Sequence, residues 1–203
     1  MLQARALRKG GFGAEDLVAG GFNAKDCKEG GFTPAELKDA GVPAEALRLA
    51  GFQVRALKAT EYSCLELTEA GFTPKELYAA GAGFRAEALK AVGNQAKHLR
   101  MAGLPIGEVH AAGYSSEELH AARYSIRDLR SVGIDAARLT EMGAKVNELW
   151  AAGFSTAELK AARLPVGQIR QVGASDQQLR EAGYTAEELK AAGATATSLA
   201  EGG

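Results

Sequence analysis

The sequence is poor in the residues and segments that mark several large classes of protein. Its 203 residues include two cysteines, one tryptophan and five prolines, and the net charge is −1. Two cysteines cannot build a disulfide framework, and a nearly neutral chain has no overall field that attracts nucleic acid or an anionic membrane. No apolar run is long enough to span a bilayer, and no secretory signal precedes the first repeat. We therefore expect a cytoplasmic or otherwise reducing compartment, with free thiols at Cys27 and Cys64.

Common catalytic and phosphate-binding motifs are also missing. The chain contains no G-x-x-x-x-G-K, no G-x-S-x-G and no H-E-x-x-H segment. Its 25 glycines recur mostly at ten-residue intervals and are not gathered into a phosphate-binding loop. The sequence therefore predicts a protein that is not an enzyme and that needs no cofactor and no metal.

The chain has instead a ten-residue repeat that runs almost from end to end. The segment GFTPAELKDA at 31–40 shows it most clearly. Eight units cover 1–80, a two-residue insertion occupies 81–82, and twelve more units cover 83–202. Position 7 is apolar in every unit and is Leu in seventeen of the twenty, while position 1 is Gly in sixteen. So short and unbroken a period predicts a single elongated repeat array over 1–203.

Each unit carries the signals that begin and end a short helix. In the unit at 31–40, Thr33 suits the N-cap, Pro34 suits the first helical position and Glu36 completes a capping box. Gly41 then supplies the left-handed residue that ends a helix. A helix of about seven residues is too short to be stable alone in water, so the units must stack. The predicted fold is all-α: an α-solenoid of about twenty two-turn helices, one per ten residues.

A weaker pattern indicates how the helices stack. Position 4 is large in alternate units of the second half and small or polar in the units between them, as in Ile106, Ser116, Ile126 and Ala136. A twenty-residue period favours two unlike layers, with consecutive helices as antiparallel pairs. Three or four helices per superhelical turn stay open as an alternative, because the first half of the chain does not show the alternation clearly.

The unit G-[FY]-[ST]-x-x-E-L-K-x-A resembles the tandem decapeptide repeats of short helices found in long repeat proteins. The resemblance covers the whole chain. Its architecture is similar to that of TPR and HEAT solenoids, although their units are far longer. By analogy, this likeness implies a binding scaffold.

Position 8 supplies the first candidate binding residues. Twelve of the twenty units have Lys or Arg there, and Tyr78, Trp150, His110 and His120 break that rule. Exposed aromatic side chains are enriched at binding hot spots, which favours a protein-binding role for the two rings. The alternative is that each ring covers the alanines of a neighbouring unit. With His98 nearby there are three imidazoles, but no cysteine or carboxylate spacing supports a metal site.

Arg123 and Arg163 are further candidates, because each replaces the glycine of position 1, as Glu61 also does. A non-glycine residue in left-handed geometry costs about 1 kcal/mol. These corners therefore either accept that cost or turn differently. They either direct a charged side chain toward a partner or represent local variation in a robust array.

Three functions are consistent with these patterns. The leading hypothesis is a non-enzymatic scaffold that binds another protein along an extended surface. The alternatives are a self-assembling structural array and nucleic-acid binding through the basic residues of position 8. Since acids concentrate at position 6 and bases at position 8, stabilisation of the helix dipole is the preferred interpretation of these charges.

Overall fold

The computed structural model describes residues 2–57, 60–81 and 84–195. In this part of the chain there are nineteen short helices and no strand, which confirms the predicted all-α repeat. The helices are α1 (Leu2–Lys9), α2 (Ala14–Ala19), α3 (Ala24–Glu29), α4 (Pro34–Asp39), α5 (Ala44–Leu49), α6 (Val54–Leu57), α7 (Cys64–Glu69), α8 (Pro74–Ala80), α9 (Ala86–Ala91), α10 (Ala96–Met101), α11 (Ile106–Ala111), α12 (Ser116–Ala121), α13 (Ile126–Ser131), α14 (Ala136–Glu141), α15 (Val146–Ala151), α16 (Thr156–Ala161), α17 (Val166–Gln171), α18 (Asp176–Glu181) and α19 (Ala186–Ala191).

Reciprocal hydrogen bonds between positions 3 and 6 begin many of the helices. Thr33 N donates to Glu36 Oε2 at 2.7 Å, and Glu36 N donates to Thr33 Oγ1 at 3.3 Å. These bonds satisfy backbone N–H groups that the first turn leaves without a helical partner. The same arrangement occurs at Ser63/Glu66, Thr73/Glu76, Ser115/Glu118, Ser125/Asp128, Ser155/Glu158 and Thr185/Glu188, and also at Asn23/Asp26 and Ser175/Gln178.

The helices end in a repeated Schellman turn. Gly41 has a φ of +79° and its N–H donates to Lys38 O at 2.8 Å. Val42 N then donates to Leu37 O at 2.9 Å. The two bonds satisfy carbonyls of the last turn and fix the direction in which the chain leaves the helix. Because the turn recurs every ten residues, each unit starts in nearly the same geometry as the one before.

The three corners without glycine divide into two kinds. Arg123 and Arg163 have φ values of +67° and +58°, so they accept the left-handed geometry. The Schellman bonds persist there, with Arg163 N donating to Lys160 O at 2.8 Å. Glu61 does not have a positive φ, and its corner contains a bond from Tyr62 N to Thr60 O instead. The corners at the two arginines therefore accept the cost of left-handed geometry, whereas the corner at Glu61 turns differently.

Helices two apart along the chain pack against each other. In one row α1, α3, α5 and α7 are successive neighbours, and in another α2, α4, α6, α8 and α10 are. Farther along, α14, α16 and α18 follow the same rule, as do α15, α17 and α19. Hydrogen bonds show the same spacing, since Tyr184 Oη donates to Leu164 O at 3.4 Å, twenty residues away. Alternate packing agrees with the predicted twenty-residue period.

The packing divides the chain into two compact units, one ending at Gly113 and the other beginning at Tyr114. Within each, the core is formed by position 7, where side chains such as Leu37 and Leu129 are completely buried. Cys27 takes a leucine slot and is equally buried, and burial raises the pKa of its thiol. Both cysteines are free. No helix of the described residues is long and apolar enough to cross a membrane.

The insertion follows a slightly longer helix. α8 has seven residues and ends at Gly81, which is left-handed with a φ of +68°. Ala82 and Gly83 lie outside the described residues, and the described chain continues at Phe84, two residues before α9. The pattern of alternate packing continues in the next helices, because α8 contacts α10 and α9 contacts α11.

The left-handed arginines generate a prediction about stability. Arg163→Gly should increase the free energy of unfolding by about 0.5–1 kcal/mol, because glycine has no Cβ to strain at this φ. Urea denaturation followed by circular dichroism measures the change. Arg163→Ala is the matched control, since it removes the charge and keeps the Cβ. An alanine variant at least as stable as the glycine variant would contradict a strain-based account.

The capping carboxylates predict a dependence on pH. The pKa of Glu76 lies below its ordinary value, chiefly because the backbone N–H of Thr73 donates to it. A carboxyl group with a lowered folded pKa stabilises the fold above its unfolded pKa, and that contribution disappears as the pH falls through the folded value. Glu76→Gln should therefore cost about 0.5 kcal/mol at neutral pH, and the difference from the natural chain should vanish as the pH falls through the folded pKa of Glu76. Urea titrations at several pH values test this, with the exposed Glu69→Gln as the control expected to show no comparable loss.

Candidate binding surface

Basic residues at position 8 reach the end of the helix two along. Lys28, near the end of α3, donates from Nζ to Ala50 O at 2.9 Å and to Gly51 O at 2.8 Å, just beyond α5. The same ammonium lies 4.7 Å from the centre of the Phe52 ring. It thus supplies donors to the two backbone carbonyls that follow the helix and makes a cation–π contact. We call this combination the position-8 clamp.

The clamp recurs in both compact units. Cations lie 4.5–4.8 Å from aromatic ring centres in the pairs Arg8/Phe32, Lys28/Phe52, Lys38/Tyr62, Arg130/Phe154 and Lys160/Tyr184. Backbone carbonyls at helix ends accept hydrogen bonds in the pairs Lys90/Gly113, Arg130/Ala152, Lys160/Gly183 and Arg170/Ala192. The clamp is therefore a regular element of the fold.

In some clamps, a carboxylate at position 6 of the helix three along from the cation forms an ion pair with it. Arg8 Nη2 lies 3.0 Å from Glu36 Oε1, and Arg130 Nη2 lies 3.5 Å from Glu158 Oε2. The pKa values of both carboxyl groups are lowered, first by the backbone N–H of their own N-cap residue and further by the nearby arginine. Position 6 thus serves its own helix as a cap and an earlier helix as a counter-ion.

The sequence carries a signal of these contacts in a pairing of positions 8 and 2, which the ten-residue repeat alone does not reveal. Nine basic residues at position 8 have an aromatic residue at position 2 three units later, twenty-four residues on or twenty-six across the insertion. Seven non-basic residues at position 8 have a non-aromatic residue there, and Arg170 with Ala194 is the exception. The nine pairs are Arg8/Phe32, Lys28/Phe52, Lys38/Tyr62, Arg48/Phe72, Lys58/Phe84, Lys90/Tyr114, Arg100/Tyr124, Arg130/Phe154 and Lys160/Tyr184. Such a correlation predicts contact between helices two apart.

Tyr78 occupies a position-8 site without a cation. Its hydroxyl lies 3.2 Å from Glu108 Oε1 and donates to it. Burial and the neighbouring Glu108 carboxylate raise the pKa of the phenol, which keeps it neutral. A cleft of about 430 Å³ lies beside the ring and is lined by Tyr78, Gly81, Phe84, Arg85 and Glu108. Of the predicted binding residues, Tyr78 therefore lies at a concave surface.

The other aromatic and the histidines lie on helices other than α8. Trp150 is half-buried on α15, in the second compact unit. His110 is exposed on α11 in the first unit, and His120 is half-buried on α12 in the second. His98 Nδ1 accepts a hydrogen bond from Gln95 N at 3.2 Å, so it caps its own helix. In the described part of the chain no group of three His, Cys, Asp or Glu side chains is placed to hold a metal.

Arg123 and Arg163 lie at the corners after α12 and α16, where both are exposed. Among the described residues, neither guanidinium forms an ion pair. Their role toward a partner stays a prediction.

Surface features that depart from the repeat gather between residues 43 and 108. Leu49, Leu65 and Met101 are 74%, 50% and 78% exposed. Leu49 and Met101 are the large apolar residues at position 9, and Leu65 is the large apolar residue at position 5. The sequence therefore distinguishes these three residues from their equivalents in other units. Clefts of about 450 and 240 Å³ open nearby, the first lined by residues of α6 and α8 and the second by residues of α5 and α7. We call this segment the irregular region.

The clamp makes a testable prediction. Lys28→Met keeps the aliphatic stem but removes two charge-assisted hydrogen bonds and the cation–π contact, so it should cost about 1 kcal/mol. Lys25→Met on the same helix is the matched control, because Lys25 is exposed and its loss should change stability by less than about 0.5 kcal/mol. Urea denaturation of the two variants measures the difference, and equal stabilities would show that the clamp contributes nothing.

Comparison with known proteins agrees with the ten-residue architecture. The family model described as Decapeptide repeat region matches residues 2–64, 51–126, 81–146 and 123–196. No curated protein and no solved structure matches the chain. The overlapping matches span nearly the whole sequence, with the same period as the helices, and the chain belongs to the Decapeptide repeat family.

Proposed function

We propose that this chain is a non-enzymatic scaffold that binds a protein partner through the irregular region. The observation that carries the proposal is the coincidence of exposed apolar side chains with concave surface in one segment. Leu49 and Leu65 belong to α5 and α7, which pack together, and other residues of these two helices line a cleft. Exposed apolar side chains and concave surfaces are both typical of protein interaction sites.

The clamps favour a protein partner over nucleic acid. A basic surface that follows a phosphate backbone needs cations directed at solvent. In this repeat, Lys28, Arg130 and Lys160 donate to carbonyls of their own chain and lie over aromatic rings. The net charge of −1 supplies no compensating attraction.

Substitution of the exposed leucines tests the proposal. The immobilised chain would be used to recover binding proteins from native lysate, and the affinity of each recovered protein would then be measured with purified components. The double variant Leu49→Ser, Leu65→Ser should bind at least about tenfold more weakly, because buried apolar anchors dominate interface energy. Circular dichroism would verify that the variant is folded.

Phe12→Ser is the matched control. Phe12 is 51% exposed but lies outside the irregular region, so its loss should leave affinity unchanged. Trp150→Ala tests the other predicted aromatic in the same assay. An equal loss with Phe12→Ser and with the leucine variant would indicate nonspecific adhesion and contradict the proposal. Recovery of the same chain alone would favour self-association.

A further inference from the structure

In several clamps, the cation lies close to the glycine at position 1 three units later. A methyl group added to Gly51 would lie 3.2 Å from Lys28 Nζ, and one added to Gly113 would lie 3.3 Å from Lys90 Nζ. The same test at Gly71 meets the Arg48 guanidinium at 2.9 Å. A cation from two helices earlier therefore occupies the space beside these glycines.

That space is open where position 8 has no cation. A methyl group on Gly41, Gly93 or Gly103 would meet no atom within 4 Å. The residues at position 8 three units before these glycines are Val18, Thr68 and Tyr78. In the second compact unit, the space beside Gly143 and Gly173 is likewise open, and the matching position-8 residues are His120 and Trp150. The open space thus follows from the residue at position 8.

The open space beside Gly103 differs from those beside Gly41 and Gly93, because a carboxylate occupies the counter-ion position. That position is position 6 of the unit three later, which is Ala46 for Val18 and His98 for Thr68. Tyr78 instead meets Glu108, whose carboxylate accepts the phenol hydrogen bond at 3.2 Å. Glu108 is half-buried and, within the described residues, forms no ion pair. A carboxylate that elsewhere pairs with a cation here has a neutral partner.

The cleft beside Tyr78 differs from a complete clamp, because position 2 three units after Tyr78 is Leu104. Its aromatic surface comes instead from Tyr78 itself and from Phe84. Its volume of about 430 Å³ is bordered by the aromatic rings of Tyr78 and Phe84. Rings and a carboxylate together favour a cationic side chain with an aliphatic stem. Arg85 also lines the cleft and opposes such a ligand with its own charge.

We propose that this cleft binds a lysine or arginine side chain of a protein partner, in the manner of the chain's own clamps. The proposal rests on the proposed function and specifies the chemistry of the partner at one point of the irregular region. The cationic head would pair with Glu108, and the stem would lie against Tyr78 and Phe84. Recognition would thus reuse an interaction that already holds successive helices together.

A small probe tests the site without a known partner. N-acetyl-lysine N-methylamide would be titrated into the full chain, with N-acetyl-norleucine N-methylamide as the uncharged isostere. NMR signals of Tyr78, Phe84 and Glu108 should shift with the lysine probe, saturably at up to about 50 mM, and much less with norleucine. Equal shifts with both probes, or no saturable shift with lysine, would overturn the proposal.

Four variants locate the binding. Tyr78→Lys should fill the cleft with the chain's own cation, abolish binding of the probe and raise the urea midpoint of unfolding. Glu108→Gln should weaken binding about tenfold, since it removes a charge-assisted hydrogen bond. Arg85→Gln should strengthen binding, because it removes a like charge. Trp150→Lys is the control, because it also places a lysine at position 8 but lies outside the cleft, with Gln178 at the counter-ion position. It should leave binding of the probe unchanged.

A folded Tyr78→Lys variant that binds the probe as well as the natural chain would also refute the site. That result would leave the proposed function intact, because the leucine variants test partner binding independently. Conversely, the leucine double variant could bind partners as tightly as the natural chain while the lysine probe still bound selectively at Glu108. That result would refute the proposed function and leave the lysine site intact.

Discussion

The structure depends on supplying hydrogen-bond partners to helices that are too short to supply their own. In a six-residue helix, most of the backbone N–H and C=O groups belong to the first four or the last four, which lack helical partners. The N-terminal groups are satisfied within the unit, as Thr33 and Glu36 show. The C-terminal carbonyls need the Schellman turn and, in many units, a cation from two helices earlier, as Lys28 shows. A unit of this kind therefore cannot be stable apart from its neighbours, and the repeat follows from that requirement.

Local features of the fold were predictable because their causes lie within ten residues. Caps, turn glycines and the buried leucine define each helix, and the structure places helices where these signals occur. The contacts between helices were harder to predict, because they join residues twenty to thirty apart. The charge pattern of the sequence favours a helix-dipole role for Lys28, whereas the structure directs it to Ala50, Gly51 and Phe52. The pairing of basic and aromatic positions was present in the sequence, but it is visible only when units three apart are compared.

The candidate site was less predictable than the fold for a related reason. Tyr78 could be singled out, since it breaks the rule of position 8, but its hydrogen bond to Glu108 spans thirty residues and the insertion. Leu49 and Leu65 do not stand out in the sequence, because hydrophobic residues make up 46% of the chain. Their significance lies in their positions, 9 and 5, which face solvent in other units. A repeat supplies its own internal control, so exposure is best judged against the equivalent residue of other units.

A repeat held by many equivalent clamps can lose one without losing its shape, because the neighbouring helices remain fixed by their own caps and leucines. Where the cation and its counter-ion have both gone, as at Val18 and Ala46, the change has no evident use beyond packing. At Tyr78 the counter-ion position holds Glu108, and a half-buried carboxylate there accepts a hydrogen bond from a phenol instead of pairing with a cation. A neutral donor stabilises an anion less than a cation does. The proposed lysine or arginine ligand would supply the positive charge that the position-8 residue supplies in the clamps.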